Sequence, residues 1–378
     1  MFKKLNRKNL SWDDVSRLVY GVPDYAGNLS KMNNDTETDE ILVPADDDYK
    51  TDGLGLQCGI DGVVYTDFQK AFTLDFIDGV RGAVFIFTYE PKKHNFKKNQ
   101  NACVYDENGL FFKGTVKDYS PVKNSGGNLM QLEVISSCGV LISSDVPPPL
   151  DFKYLSAKAV IERICGYWGI AIEFGDCQSL DYVASTGAGN SYCAGESEKA
   201  WDFICRIAKS AGCLVTDTGS GLFVGRIKEK EARMSFIEGE AIGVTGWKPL
   251  INTNNLARYY EAHSQFPEIS CAKAVIPFDY PAIKRVPNED VSSGVLQEFL
   301  NWYVCREVGR AYQQVLSVDD NLNLYTGDFA TIQNSDIFGG KAVKMVVVEK
   351  KALYPGGNVF TFSLPCAVTG ILPEELPE

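Results

Sequence analysis

The side chains able to do chemistry are limited in kind. The chain has eleven cysteines, Cys58, Cys103, Cys138, Cys165, Cys177, Cys193, Cys205, Cys213, Cys271, Cys305 and Cys366, but only two histidines, His94 and His263. So few imidazoles remove most zinc sites and most histidine-based acid/base schemes. No two cysteines form a CxxC pair, and the odd count, wide spacing and neighbours such as Ile164, Ile204 and Val304 read as small buried thiols in a reducing compartment. A Cys/His nucleophile pair stays open in principle. His94 lies in Lys92-Lys93-His94-Asn95-Phe96-Lys97-Lys98, a polar loop that predicts a solvated ring, and His263 ends the strand-like run Tyr259 to His263, which predicts an exposed or hydrogen-bonded structural role. Paired carboxylates could serve a hydrolase if they stood ~5 to 9.5 Å apart across a cleft, a separation that sequence spacing does not reveal.

The glycine-rich candidates fail on context. Gly187-Ala188-Gly189-Asn190 lacks the third glycine of a dinucleotide fingerprint, and Gly53-Leu54-Gly55 leads into a strand, where no aligned amides await a phosphate. There is no phosphate-loop Gly-Lys-Ser/Thr ending and no Gly-x-Ser-x-Gly elbow. No catalytic, cofactor-binding or metal-binding residue is therefore assigned.

Charge narrows the partners. Among 378 residues, 49 are acidic and 37 basic, a formal charge of -12, which argues against a surface built to grip DNA, RNA or anionic lipid. The basic loop Lys92 to Lys98 has no aromatic platform beside it and reads as a solvated hairpin tip. Met1 to Leu10 carries Lys3, Lys4, Arg7 and Lys8 with no apolar core behind them, so no secretory signal is read, and no run approaches the ~20 apolar residues of a spanning helix. The expectation is a soluble protein made inside the cell.

These residues must be positioned by elements of several kinds. Residues 1–53 read as an arm, extended or partly disordered, because residues 35–52 hold eight acidic side chains against Lys50 alone. Calcium binding by Asp46 to Asp48 would need alternating oxygen ligands and a closing glutamate, which are missing. Residues 54–146 carry strand-like runs at Val63 to Phe68, Val80 to Tyr89, Ala102 to Tyr105, Leu110 to Tyr119 and Leu129 to Ser136. Asp61-Gly62, Asp78-Gly79, Asn108-Gly109 and Gly126-Gly127-Asn128 punctuate them. This predicts a first small antiparallel barrel or sandwich, ended by Pro147-Pro148-Pro149. Residues 147–235 predict an α+β insert. It has a helix from Ser156 to Trp168, a strand Ile170 to Phe174, a helix Ser197 to Ala211 stopped by Gly212, and a hairpin Leu214 to Arg226. Residues 236–378 predict a second barrel, with a long helix from Asn288 to Tyr312, strands at Gln314 to Val318, Asp328 to Gln333, Lys341 to Glu349 and Val359 to Pro365, and a C-terminal tail.

One correspondence links the two halves. Gly126-Gly127-Asn128-Leu129-Met130-Gln131-Leu132-Glu133-Val134 matches Gly356-Gly357-Asn358-Val359-Phe360-Thr361-Phe362-Ser363-Leu364, and each is preceded by a Phe-x-Gly step assigned to a strand, Phe112-Lys113-Gly114 and Phe338-Gly339-Gly340. Two readings stand: an internal repeat of one barrel, or two hairpins sharing common turn chemistry.

In order and spacing the chain, over roughly residues 54 to 368, resembles the late control D family, the baseplate hub proteins of contractile-tailed, Mu-like phages and prophages. Three passages carry the resemblance: Ile60-Asp61-Gly62-Val63-Val64-Tyr65 through Asp78-Gly79-Val80-Arg81-Gly82 to Leu110-Phe111-Phe112-Lys113-Gly114-Thr115-Val116; the pair Ala159 to Cys165 and Gly195 to Ile204 with the hairpin to Leu222-Phe223-Val224; and Gly309-Arg310-Ala311 with the strands beyond Tyr325-Thr326-Gly327-Asp328. It implies a mainly β, multi-domain fold with two similar small antiparallel β-barrel (tube-like) domains and helix-containing parts. It also implies a non-enzymatic, cofactor-free homotrimer that joins a six-fold tail tube protein to a three-fold central spike protein, touches other baseplate or tape-measure proteins, and lets DNA pass. Neither sequence-specific nucleic-acid binding nor membrane insertion is implied. The expected location is the virion tail baseplate, assembled in the host bacterial cytoplasm, with the acidic excess lining the channel. The alternatives are a tail-associated peptidoglycan hydrolase, or the hub of a tail-derived injection machine or bacteriocin.

Overall fold

Turn chemistry organises the first group of strands. Asp61 and Gly62, at φ 47° and 87°, fill the two left-handed positions of a tight hairpin between Gln57–Ile60 and Val63–Tyr65. The structure is a computed structural model and describes residues 2–6, 40–44, 56–88, 94–106, 109–124, 127–183, 191–240, 243–265, 268–279, 281–287, 291–335 and 338–376. The chain divides into two compact units: Met1–Thr73, Gly82–Ser137 and Leu353–Pro355 form one, and Leu74–Arg81, Cys138–Ala352 and Gly356–Glu378 the other.

In the first unit the strands run in the spatial order Phe68–Phe76, Gly82–Thr88, Gly127–Ser136, Gly109–Asn124, Asn101–Asp106, Gln57–Ile60, Val63–Tyr65. The strand Phe68–Phe76, which the turn pattern of the sequence does not announce, alternates strictly over its second half. Ala71, Thr73 and Asp75 are buried, while Phe72, Leu74 and Phe76 stay exposed. Its apolar residues are on the solvent side, so hydrophobic alternation points the wrong way there. Phe85, Phe87, Phe112 and Leu132 fill the interior.

The reading of His94 as solvated is corrected. Its ring is buried, with centroids 4.9 Å from Phe87 and 5.7 Å from Phe96, and Nε2 lies 3.7 Å from Asp67. Phe96, counted as part of a polar loop, turns inward and takes the histidine with it. Of the arm, Phe2–Asn6 pairs antiparallel with Glu40–Pro44. The rest of it, the Asp46 to Asp48 cluster included, lies outside the described residues, as do Lys92, Lys93, Gly53 to Gly55 and Gly187 to Asn190.

The second unit contains the α+β portion. Helix α1 (Ala157–Tyr167) begins where the Ser156 hydroxyl accepts the Ala159 N–H at 3.2 Å, the cap read from the sequence. Val160, Ile161, Ile164 and Cys165 form its buried stripe. Helix α2 (Ala200–Ser210) starts three residues later than its predicted Ser197, with Lys199 as N-cap, and Gly212, at φ 67°, ends it as expected. Both helices belong with a three-stranded sheet in which Ile172–Phe174 runs parallel, and Leu214–Asp217 antiparallel, to Leu222–Gly225.

The long helix α3 (Leu296–Ala311) is shorter than the predicted Asn288 to Tyr312: Ser293–Val295 forms a 3-10 turn, and residues 288–290 lie outside the described set. It buries Phe299, Leu300, Trp302, Val304, Cys305 and Val308, more than one stripe, because it is covered on two sides. One side is the small sheet of Tyr259–Ser264, Ser270–Val275 and Ile283–Arg285, and the other the strand Tyr312–Val318.

The larger sheet of this unit runs Val244–Ile251, Tyr312–Val318, Asn358–Ser363, Val343–Tyr354, Phe329–Gln333, Met234–Ile237. With the short edge strand Val63–Tyr65 set aside, both units thread six strands in the same order. The first lies outside the fourth, the second outside the third, and the fourth, fifth and sixth return in the order six, five, four. The pairs of Gly82–Thr88 with Gly127–Ser136, and of Tyr312–Val318 with Asn358–Ser363, occupy the same place and are both antiparallel. Each long fifth strand bulges against the sixth, between Val116 and Asp118 and between Val347 and Glu349. The copies differ at the first strand, antiparallel as Gln57–Ile60 and parallel as Met234–Ile237.

The Gly-Gly-Asn correspondence therefore falls on topologically equivalent last strands. Its companion Phe-x-Gly step does not hold: Phe112 to Gly114 lies within a strand, but Phe338, Gly339 and Gly340, at φ 51°, 60° and 74°, form a left-handed turn that no strand can contain.

Gly309 of α3 allows a close approach. A Cβ there would stand 2.4 Å from the Cβ of Ala367 in the short helix Cys366–Thr369. Gly309→Ala is expected to destabilise the protein by about 1–3 kcal/mol through overpacking, against alanine's ~1 kcal/mol better helix propensity. The urea midpoint measures the sign.

Candidate assembly surface

Among the described residues, no catalytic constellation forms around the candidates. The structure does bring one Cys/His pair together on the small sheet: Cys271 Sγ lies 3.9 Å and Glu261 Oε2 3.7 Å from His263 Nε2. Both approach the same ring nitrogen, so Glu261 is not placed to orient the ring through one nitrogen while the other acts as base. His263 and Cys271 are exposed side by side on an open sheet face, the exposed structural position expected for His263.

A cavity of about 310 Å³ is lined by Asp78, Trp201, Asp202, Trp302, Tyr303, Arg306 and Glu307, among others. Asp78 is paired with Arg306, and Glu307 accepts from Lys284 at 2.5 Å. Among the described residues the carboxylates that titrate away from their ordinary range, Asp118, Asp151, Glu198 and Glu238, all move down, opposite to the direction a general acid requires. Among the described residues no group of three or more His, Cys, Asp or Glu side chains is arranged to hold a metal.

A buried carboxylate, Asp75, and a partly buried one, Asp78, organise the segment Leu74–Arg81. Asp75, 1% exposed at its side chain, accepts from Arg81 Nε at 3.0 Å and from the hydroxyl and amide of Thr326 at 2.9 and 3.2 Å. Arg81 in turn donates its amide to Asp217 at 2.9 Å and its guanidinium to the Thr218 carbonyl at 3.0 Å. Asp78, at φ 61°, donates its amide to the Val215 carbonyl at 2.9 Å, accepts the Val215 amide on Oδ1 at 3.3 Å and takes the Arg306 guanidinium. Burial pulls the Arg306 pKa down, with Asp78 opposing.

What the second unit offers to a partner is apolar. Tyr259, Val275 and Ile283 are directly opposed across the three strands of the small sheet and are 38%, 58% and 65% exposed. Ile269, just ahead of the central hairpin's second strand, is 90% exposed. The opposite face, Tyr260, Ala262 and Ala272, is buried toward α3. Lys284 reinforces that side: burial works against its charge, but Glu307 outweighs it and raises the pKa. A row of large apolar side chains on a rigid sheet, rimmed by Lys273 and Arg285, is the composition of a protein-binding surface. Sequence reasoning missed it, because an outward apolar residue in a strand carries the same pattern as an inward one.

The sequence matches no family model and no curated protein. Solved structures do match. The chain is similar to a 43 kDa tail protein of prophage MuSo2 from Shewanella oneidensis, at 15% identity and TM-score 0.64 over 83% of this chain and 99% of that one. It is also similar to a tail protein from Neisseria meningitidis MC58, at 12% identity and TM-score 0.67 over 84% and 98%. A third match, at 10% identity and TM-score 0.51 over 85% and 80%, is the E. coli c3393 protein, described as a component of the type VI secretion system with structural similarity to bacteriophage T4 tail proteins. The chain has the fold of a phage tail protein. The resemblance to the baseplate hubs of the late control D family holds at the level of that fold, as does the expectation of a mainly β chain with helix-containing parts. In this tail-protein fold, among the described residues, no helix is long and apolar enough to cross a membrane.

Two measurements test the electrostatics. Asp78→Ala, which strands a buried guanidinium, is expected to cost roughly 2–4 kcal/mol, and adding Arg306→Met should recover part of it; denaturant unfolding of single and double variants reads the difference. In the α+β portion, burial alone would raise Glu198, but Arg206, donating at 3.0 and 2.9 Å, and the Gly195 amide outweigh it and hold its pKa low. A carboxylate depressed in the folded state stabilises fully above its unfolded pKa of ~4.3 and loses that stabilisation as pH falls through the folded value. Glu198→Gln should therefore cost about 1–2 kcal/mol at pH 7 and progressively less as the pH drops below ~4, followed by thermal melts across pH.

Proposed function

We propose that this chain is a structural hub of a phage or prophage contractile tail, a trimeric adaptor between a six-fold tail tube and a three-fold central spike. The observation that carries the reading is the shared six-strand order of the two units. Three chains that each hold two sheets of one topology present six quasi-equivalent surfaces to a six-fold ring, and three copies of everything else to a three-fold spike. The helical portion between the two sets of strands, and the insertion that carries α3 and the small sheet, are unique to one set and suit the three-fold contacts.

We divide the chain accordingly: residues 54–146 and 236–378 hold the tube-like elements, residues 147–235 the insert, with the strand Met234–Ile237 crossing that boundary, and residues 1–53 an arm toward a neighbouring component. The role is non-enzymatic, and the location the virion baseplate after assembly in the host cytoplasm. The bore passes DNA without binding it, since the acidic excess that remains of the charge of -12 once residues 35–52 of the arm, eight acidic side chains against one basic, are set aside still repels phosphate. A hub of a tail-derived injection machine is the second reading, favoured by the similarity to the E. coli type VI secretion component.

Light scattering coupled to size exclusion tests the hub. A trimer is expected, and a monomer that clears peptidoglycan in a zymogram would overturn the proposal. Val275→Asp with Ile283→Asp, on the exposed apolar row, is expected to shift the mass toward monomer with unchanged circular dichroism; an unaltered trimer would remove that row from the subunit contact.

A further inference from the structure

The reading of the thiols as small and buried holds for Cys58, Cys138, Cys165, Cys213, Cys305 and Cys366, whereas Cys193 and Cys271 are exposed and Cys103, Cys177 and Cys205 are partly exposed. Burial raises the pKa of Cys58, Cys165, Cys205, Cys305 and Cys366, Cys165 and Cys305 to about 12, which keeps them as unreactive thiols. Cys177 is different in place and in chemistry. It caps the 3-10 turn Gln178–Asp181 after the strand Ile172–Phe174, is partly exposed, and lies 2.8 Å through its Sγ from the Sγ of Cys213. Cys213 is buried at the end of the α2 to Leu214–Asp217 connection, 36 residues along the chain.

The surroundings hold both sulfurs in place. The Ser179 hydroxyl stands 3.3 Å from Cys177 Sγ and donates to the Ala211 carbonyl at 2.8 Å, fixing the turn against the end of α2. Arg226, whose Nε donates to the Gly212 carbonyl at 2.9 Å and whose Nη2 meets Glu298 at 3.0 Å, adds positive charge nearby. The Cys213 thiol donates toward Cys177. That bond, against the effect of burial and with help from Ser179 and Arg226, draws the Cys177 pKa down to about 6, while Cys213 is raised. At neutral pH the exposed member is the thiolate and the buried member keeps its proton, the division of labour of an attacking and a resolving thiol.

We propose that Cys177 and Cys213 are a disulfide-forming pair that staples the turn after Ile172–Phe174 to the end of α2, with a low-molecular-weight disulfide as the oxidant. The Cys177 thiolate attacks one sulfur of the external disulfide, forming a mixed disulfide and releasing one thiolate, which takes a proton. Cys213 then loses its proton to solvent and attacks Cys177 Sγ, expelling the second external thiolate. Two protein thiols are oxidised and one disulfide is reduced to two thiols. The sulfurs need to close by about 0.8 Å to reach bonding distance, which a side-chain rotation at a partly exposed turn supplies. The closed loop constrains the unfolded chain. The inference rests on these thiols alone and stands apart from the assembly reading.

The test uses the full chain with Cys193→Ser and Cys271→Ser, which removes the two exposed thiols. Reduced protein is treated with oxidised glutathione, alkylated and digested with trypsin. A species two hydrogens lighter is expected, with fragment ions joining Cys177 in the peptide Ile164 to Lys199 to Cys213 in Ser210 to Arg226. The melting temperature should rise by roughly 5–10 °C and return on adding dithiothreitol. Cys213→Ser should instead retain one glutathionyl group on Cys177, because the resolving thiol is gone. Alkyl groups on both Cys177 and Cys213 after oxidation, or a linked peptide with an unchanged melting temperature, would overturn the proposal.

Discussion

The largely desolvated carboxylate and guanidinium pairs of the segment Leu74–Arg81, Asp75 with Arg81 and the partly exposed Asp78 with Arg306, constrain much of the second unit. Asp75 and Arg81 are desolvated together, and neither could be buried alone without the cost of an unpaired charge. Each then reaches elements far along the chain: Asp75 to Thr326, Arg81 to Asp217 and Thr218, Asp78 to Val215 and Arg306. A short turn thereby fixes the positions of the insert hairpin, of α3 and of the loop before Phe329–Gln333. The sequence carries it as Asp78-Gly79-Val80-Arg81-Gly82, which reads as ordinary turn punctuation until its partners are known.

Helix α3 is the second organiser. Its core residues serve two sheets at once, so its apolar positions exceed one stripe, and Gly309 removes the one side chain that would hold Cys366–Thr369 away. The helix belongs to an insertion between the second and third strands of a set whose counterpart in the first unit has no such insertion. One strand topology is thus used twice, with the additions confined to one copy.

The sequence made some elements legible and hid others for identifiable reasons. Ser156, Gly212 and the Asp61-Gly62 turn were readable because capping and positive φ are local demands that few residue types satisfy. The start of α2 slipped by three residues because Lys199 caps without a side-chain hydrogen bond. Phe68–Phe76 was hidden because its large apolar residues face outward, and His94 was misplaced because the polarity of its neighbours outvoted the single inward Phe96. The apolar row of Tyr259, Val275 and Ile283 needed the register of three strands to become visible at all.

By itself the sequence narrowed the chemistry open to the chain and indicated which local elements it would form. Two histidines, no paired cysteine motif and an acidic excess limit chemistry by composition, and caps, turns and periodicity act over a few residues. Only the tertiary structure decided that the Gly-Gly-Asn segments close the same strand topology, that Cys177 meets Cys213 across 36 residues, and which apolar side chains face outward. Those outcomes depend on pairing between distant strands and on desolvation, and a linear pattern encodes neither until the chain has folded.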